Sequence, residues 1–299
     1  MPIRITSRVR SLASLLLLGG LLPCLSEGQV EGLQGATEVP EAEPPAILDG
    51  GRGEYFLLEW RGATAHPHHG YTGIRGLERA AREGALGLVE VRRRKVQGSW
   101  QLEQDVHFPF EEVRLLAVEC LSRKSPRLVW REIFPGGGRT IFAEWTSESE
   151  ELKAFEWGLD GSLREYHDTS RGAVMPQYLL ELVRSGQAVG GRFEVFDPLI
   201  GALDIWSLDV TYQREHSDSD ADDESGEYIR RAEFRRRDGT LAGLYRFAGT
   251  RLISFQWQEG DVVAKRISRI EYEQLSQRWG LDPEQAGADD GTRSAVKDV

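Results

Sequence analysis

Three groups of side chains are of types that bind metal ions or catalyse reactions, and the first is a histidine cluster. His66, His68 and His69 lie close enough in sequence to offer imidazole ligands to zinc or copper. A stable site needs further ligands, and the sequence contains no HExxH helix and no paired CxxC motif to supply them. We therefore interpret the cluster as an exposed loop and predict no bound metal. A metal-dependent hydrolase built on these histidines is the least supported functional hypothesis.

The second group is the acidic run from Asp218 to Glu224, which resembles the start of a calcium-binding loop because its carboxylates alternate. Such loops have glycine at the sixth position and a bidentate glutamate at the twelfth. This sequence has Asp223 and Ile229 there. The run is predicted to be a solvated hairpin loop.

The third group comprises candidate nucleophiles and bases. His167, Asp168 and Ser170 are neighbours in sequence, but adjacency does not build a catalytic triad. The chain also lacks a GxSxG motif, a Walker loop and a GxGxxG motif after a strand. Cys120 shares a face of a predicted strand with Leu116, which is typical of a buried small hydrophobe. We predict that the protein is not an enzyme and needs no cofactor.

The N-terminus carries the pattern of an export signal over residues 1–26. Arginines precede an uncharged apolar stretch from Leu12 to Leu22, too short to match the about 20 residues of a spanning helix. We expect cleavage after Ser26, release into the periplasm or outside the cell, and no transmembrane span in the mature chain. The alternative is lipid anchoring at Cys24, but Pro23 stands where a lipobox has a small residue.

The remaining composition divides the chain into one folded domain and two polar segments. Residues 27–53 are rich in Gly, Glu and Pro and are predicted to form a flexible linker, and residues 281–299 a disordered tail. Residues 54–280 form a single β-rich domain in this prediction. The formal charge of -11 repels phosphate backbones and argues against nucleic acid as a partner.

Within the predicted domain, short segments of alternating apolar and polar residues recur about every ten residues, as in an antiparallel meander. Hairpin turns are predicted at 135–138, Asp160-Gly161 and Asp238-Gly239, where glycine supplies positive φ. Basic runs at 92–95 and 235–237 are interpreted as protection of edge strands, with contact to anionic headgroups or to the protein's own acidic loops as the alternatives. The predicted strands cover 55–60, 86–93, 113–121, 128–134, 140–145, 152–157, 192–196, 203–214, 227–236, 241–247, 252–257 and 262–270.

One strong helical pattern interrupts the strands. Apolar residues recur at helical spacing over 175–183, with Pro176 in the first turn and Gly186 after the end. This helix is expected to press its apolar face onto the sheet. Weaker helical patterns occur at 74–83 and 271–279.

Several tryptophans fall in predicted strands, where they fill either a packed core or an apolar cavity on the concave face of a curved sheet. The sequence leaves both alternatives open. The candidate cavity residues are Trp130, Trp145, Trp157, Met175, Tyr178, Leu179, Leu182, Trp206 and Trp257.

An exported meander with one apolar helix at 175–184 resembles the half-barrel of periplasmic lipoprotein carriers and related envelope proteins. The resemblance is architectural and covers about 55–279; the strand-turn-strand element at 155–166 is similar in style, and no carrier residue maps onto this chain. It implies a mainly β fold, a curved antiparallel meander or half-barrel of many strands with one packed apolar helix, and a cavity that accepts acyl chains.

The leading functional hypothesis is a noncatalytic, exported cell-envelope protein that binds a lipid, a lipidated protein or another apolar ligand. The alternative is an extracellular or periplasmic interaction or structural module with a filled core. That module would contact an envelope protein through its exposed sheet edges and acidic loop.

Overall fold

The computed structural model describes residues 53–60, 84–96, 99–110, 112–122, 125–158, 160–215, 227–257 and 262–281. Several predictions lie outside these ranges. They are the export signal with Cys24, the linker up to residue 52, the histidine cluster, the helix at 74–83, the acidic run and the tail from residue 282.

The described residues form one antiparallel sheet of 14 strands and two helices. The first eight strands are β1 (Glu54–Trp60), β2 (Gly87–Val96), β3 (Ser99–Phe108), β4 (Val113–Cys120), β5 (Arg127–Phe134), β6 (Gly137–Thr146), β7 (Glu151–Trp157) and β8 (Leu163–Thr169). Helix α1 (Pro176–Arg184) follows. The remaining elements are β9 (Gly190–Asp197), β10 (Ala202–Glu215), β11 (Glu227–Arg235), β12 (Leu241–Ala248), β13 (Arg251–Trp257), β14 (Val262–Ile267) and helix α2 (Arg269–Trp279).

The strand order explains how one chain builds this sheet. The order is β8 to β1 followed by β14 to β9, so the chain starts in the middle, meanders to one edge, crosses through α1 and meanders back from the other edge. Strands β1 and β14 then pair in the centre. No pairing joins β8 to β9 within the described ranges, and the sheet is open. The predicted mainly β meander with one packed helix is confirmed.

The predicted hairpins are also confirmed, and glycine is the reason. Gly136, Gly161 and Gly239 have φ of 90°, 75° and 86°, values that L side chains rarely adopt. Strand β3 was not predicted, because the buried amide of Gln104 interrupts the series of apolar residues on the inward side of the strand.

Helix α1 is enclosed by the sheet. All its residues from 177 to 184 are buried, and its apolar side chains share one core with Phe56, Val195, Phe247 and others from both halves of the sheet. We call the sheet face that packs on α1 the inner face and the opposite one the outer face. Pro176 begins the helix, where its missing N–H costs nothing, and Gly186 follows the end with φ of 79°. The predicted helix is confirmed, although it is buried all round rather than on one face.

Helix α2 covers the outer face beside the central strands. Ser268 caps it, with Oγ accepting from the N–H of Glu271 at 3.2 Å, and Trp279 packs with the outward side chain of Leu88. The predicted helix at 271–279 is confirmed, whereas the predicted strand at 262–270 ends earlier because this cap starts the helix. Within the described part of the chain, neither helix is long and apolar enough to cross a membrane.

The interpretation of the basic runs as edge protection is wrong. Strand β2, which carries Arg92 to Lys95, lies between β1 and β3, and β11 lies between β10 and β12. Arg93 is buried on the inner face, while Arg92 and Arg94 pair with Glu90 and Glu103 on the outer face. The arginines of this run therefore form ion pairs with carboxylates of the protein itself.

Candidate functional site

A cavity of about 80 Å³ lies where the first turn of α1 meets the inner face of the sheet. Strands β3, β4, β5, β9, β10, β12 and β13 contribute to its wall, which is mostly apolar. The apolar lining includes Val106, Leu115, Trp130, Trp206, Tyr245 and Trp257, and the polar lining is Gln104, Glu119, Gln177, Asp197 and Arg236.

The structure brings three of the candidate tryptophans together at this cavity. Trp130, Trp206 and Trp257 come from β5, β10 and β13, strands that are far apart in sequence. They meet because the sheet bends around α1. The cavity is where the structure combines aromatic walls with polar groups.

The other candidate residues do not line the cavity. Trp145 lies in a second core, where its Nε1 donates to the carbonyl of Ser170 at 2.8 Å. Trp157 is 44% exposed because it falls on the outward positions of β7. Four residues in or beside α1 are buried in the cores instead, since only Pro176 and Gln177 of the helix reach the cavity; they are Met175, Tyr178, Leu179 and Leu182.

Glu119 is the residue that the sequence reasoning missed. On β4 the buried positions are Val113, Leu115, Ala117 and then Glu119, so the carboxylate occupies the next inward site. Cys120 lies half-buried on the outer face, contrary to the buried position predicted for it. The period-two pattern contained this signal, because Glu119 continues the apolar series.

The carboxylate of Glu119 caps α1. Its Oε1 accepts from the N–H of Gln177 at 2.9 Å and its Oε2 from the N–H of Tyr178 at 3.0 Å. The cap residue Met175 makes no side-chain hydrogen bond, so a strand carboxylate satisfies amides that a helix start leaves open. Burial raises the pKa of Glu119 to about 8, and the two backbone hydrogen bonds oppose that rise. Glu119 thereby fixes the helix turn that borders the cavity.

Asp197 and Arg236 form a neutral pair in the cavity wall. Arg236 donates from Nε to Oδ2 of Asp197 at 2.8 Å and from NH1 to the carbonyl of Leu241 at 3.0 Å. The guanidinium also lies 6.0 Å from the ring centroid of Trp206. Because the two charges are paired, the wall presents little uncompensated positive charge.

Trp206 contributes a hydrogen-bond donor that is not used. The residue is 7% exposed, and its Nε1 has no hydrogen-bond partner within the described ranges. A buried donor left unsatisfied costs about 1–3 kcal/mol. The Nε1 atom itself has almost no accessible surface, so this unused donor lies within the packed wall rather than open to the cavity.

An ion cluster anchors the far end of α1. Arg93 NH2 donates to Glu54 Oε2 at 3.0 Å and to Glu181 Oε1 at 2.8 Å. Arg184 NH2 lies 2.9 Å from Glu54 Oε2, and Arg266 donates from NH1 to Glu54 Oε1 at 2.7 Å. Burial alone would raise the pKa of Glu54, but the charges of Arg184 and Arg93 outweigh it and lower that pKa to about 2. The cluster joins α1 to the central strands.

The neighbouring His167, Asp168 and Ser170 have other partners. The hydroxyl of Ser170 donates to Glu194, and Asp168 Oδ2 accepts from the hydroxyl of Tyr166 at 2.7 Å. His167 Nε2 lies 3.7 Å from Glu165. No group of three or more His, Cys, Asp or Glu residues that could hold a metal occurs among the residues that the structure describes.

Comparison with known proteins yields one similar fold. No protein-family model and no curated protein sequence matches the chain. Among solved structures, the chain is similar to a β-barrel-like protein of the domain of unknown function DUF1849 from Brucella abortus. The two share 10% sequence identity with a TM-score of 0.48, over 73% of this chain and 96% of that one. The resemblance to lipoprotein carriers stays a prediction.

Proposed function

We propose that the chain is a noncatalytic binding protein of the cell envelope, and that it holds an apolar group of a lipid, a lipidated protein or another amphiphile beside the first turn of α1. The observation that carries this proposal is the cavity walled by Trp130, Trp206 and Trp257. Aromatic walls with a few placed polar groups are typical of small-molecule sites. The envelope location rests on the predicted export signal.

The size of the cavity limits what enters it. Its volume of about 80 Å³ is smaller than the roughly 150 Å³ of an engineered cavity that binds benzene. Helix α1 fills the remaining inner space and is anchored by Glu119 at its start and by the ion cluster at its end. A whole acyl chain therefore does not fit unless α1 moves. We propose that only the end or a short segment of an apolar ligand occupies the cavity.

The polar groups define the rest of the ligand. The charge of Arg236 is already matched by Asp197, and no other cation among the described residues lines the cavity. A ligand carboxylate would be buried in this mostly apolar wall without a free cation to balance it. A neutral acceptor, such as an ester or amide carbonyl, suits this wall better than a free acid does.

Ligand occupancy tests the proposal. The full chain would be expressed with its own N-terminus, purified without detergent, and analysed by native mass spectrometry beside organic extraction. A bound amphiphile is expected, and the emptied protein should bind methyl decanoate more tightly than decanoic acid in a tryptophan-fluorescence titration. An empty protein that binds neither compound would contradict the proposal.

Two substitutions locate the ligand. Ala242→Leu adds volume at the cavity wall and should reduce binding, whereas Ala154→Leu makes the same change at a buried site in the second core and should not. Trp206→Phe reduces the aromatic wall and should weaken binding of both compounds, while the preference for the ester over the acid, which rests on the lack of a free cation, should remain.

A second candidate function is protein interaction through the outer face. Trp157 is 44% and Leu163 50% exposed, and Phe155 lies beside Trp157 with ring centroids 6.3 Å apart. Exposed apolar patches of this kind mark contact surfaces. Site-specific photo-crosslinking at Trp157 in intact cells would test this: a single crosslinked envelope protein, lost in Leu163→Ser, is the expected result.

A further inference from the structure

The two edges of the sheet differ in how their strands are covered. On the β9 edge, the segment before α1 forms a parallel bridge between Val174 and Val195. Strand β8 pairs with β7 on one side, and no described residue pairs with its other side. All residues of β8 except Tyr166 are exposed. Apart from the N–H of Thr169, which donates to Asp168 Oδ1 at 2.7 Å, the backbone groups on this side are available to another strand.

We propose that this edge pairs with β8 of a second copy of the chain, antiparallel about a two-fold axis at Tyr166, to form a homodimer. The pattern of charges along β8 is complementary to itself, and this identifies a second copy of β8 as the strand that pairs with this edge. In this register Arg164 of each copy faces Asp168 of the other, and Glu165 faces His167. Opposite side chains are thus matched at every charged position of the strand.

The faces of the strand agree with this register. Arg164, Tyr166 and Asp168 lie opposite Glu156, Ala154 and Leu152 of β7, and the last two are buried on the inner face. Glu165 and His167 therefore point to the outer face. Pairing about Tyr166 opposes inward residues to inward ones and outward to outward, as a continuous sheet requires.

Other two-fold registers lack this match. A two-fold axis at Arg164, Glu165 or Asp168 places that residue directly opposite its own copy, so identical charges face each other. A centre at His167 leaves Glu165 opposite Thr169 without a cation. The Tyr166 register is the two-fold arrangement of β8 that pairs both acidic residues with basic ones.

The inward charges of Arg164 and Asp168 protect this edge against apolar strands, but the strand lacks other devices of natural edges. It contains no Pro, Gly or Lys, and its seven residues pair with β7 without a register shift. Leu163, half-exposed on the outer face, would gain a neighbour in Thr169 of the other copy. This contact is symmetric, so it closes on itself rather than extending into a fibre.

Sedimentation equilibrium of the full chain over a concentration series tests the proposal. We expect a monomer–dimer equilibrium. Arg164→Asp and Asp168→Arg should each raise the dissociation constant about 10- to 30-fold, because each creates two like-charge pairs per dimer. The double variant Arg164→Asp/Asp168→Arg restores both attractions and should dimerise like the original chain.

Mixing the two single variants provides the sharpest control. One then carries Asp at both positions and the other Arg at both, so the mixture should form a heterodimer although each alone is largely monomeric. If a single variant fails to fold, the two single variants His167→Glu and Glu165→Lys repeat the design at exposed positions of the outer face. A monomer at all concentrations, a dimer insensitive to the single variants, or no recovery in the mixture would overturn the inference.

Discussion

Glu119 should couple the stability of the fold to pH in the direction opposite to that of most carboxylates. Its side chain is 1% exposed, and burial raises its pKa from 4.5 to about 8. Between these values the native state holds a proton that the unfolded state has lost. The contribution of this group to the free energy of unfolding is therefore complete below its unfolded pKa and falls as pH rises towards its folded pKa.

The substitution Glu119→Gln isolates this contribution. The amide has one acceptor where two helix N–H groups need one each, so one buried donor loses its partner at a cost of about 1–3 kcal/mol. That cost should be largest near about pH 5. It should fall by up to about 1.4 kcal/mol per pH unit as pH rises and change sign before about pH 8, because ionisation of Glu119 in the unfolded state destabilises the original chain and not the variant.

Urea unfolding of both chains at several pH values gives the measurement. Ser268→Ala is the matched control, because it removes an exposed helix cap and should cost about 1 kcal/mol at every pH. If the cost of Glu119→Gln stays constant or grows as pH rises, the reasoning is refuted. The positive end of α1 would then outweigh burial and keep Glu119 ionised.

Three further predictions concern the anchors of the fold. Arg93→Met should lower the free energy of unfolding by about 3–5 kcal/mol in urea titrations, because it leaves Glu54 and Glu181 with fewer buried cations; a loss below about 1 kcal/mol would show that Arg93 is dispensable. The pKa of Glu54 is lowered to about 2, so its stabilising contribution should persist above its ordinary pKa of 4.5 and disappear as pH falls towards 2, and Glu54→Gln should flatten the acid limb of stability against pH. Trp145→Phe should cost about 1 kcal/mol, measured by urea unfolding, through loss of its hydrogen bond to Ser170, and an unchanged midpoint would contradict that role.

Much of the secondary structure follows from local chemistry. The glycine turns at Gly136, Gly161 and Gly239 and the apolar period over 175–183 act within a few residues, so they are visible in the sequence. Strand β3 was missed because Gln104 breaks its pattern, and the amide oxygen of Gln104 accepts a hydrogen bond from Gln177 of α1, far along the chain.

The candidate site could be predicted only in part. Trp130, Trp206 and Trp257 were recognisable as strand aromatics, but their meeting depends on how the sheet bends around α1. Glu119 and Arg236 looked like ordinary surface charges. The period-two pattern of β4 places Glu119 on the inner face, but its partners, the amides of a distant helix, and the pairing of Arg236 with Asp197 are set by the tertiary structure.

The sequence by itself determined an antiparallel meander with one apolar helix, because alternation, turns and helical spacing are local properties of the chain. Only the tertiary structure decided that the helix is enclosed, that the inner space is mostly filled and that the arginines of β2 lie in the sheet centre. All three features depend on the strand order and the curvature of the sheet. The strand order in turn depends on the central pairing of β1 with β14, which joins residues about two hundred positions apart.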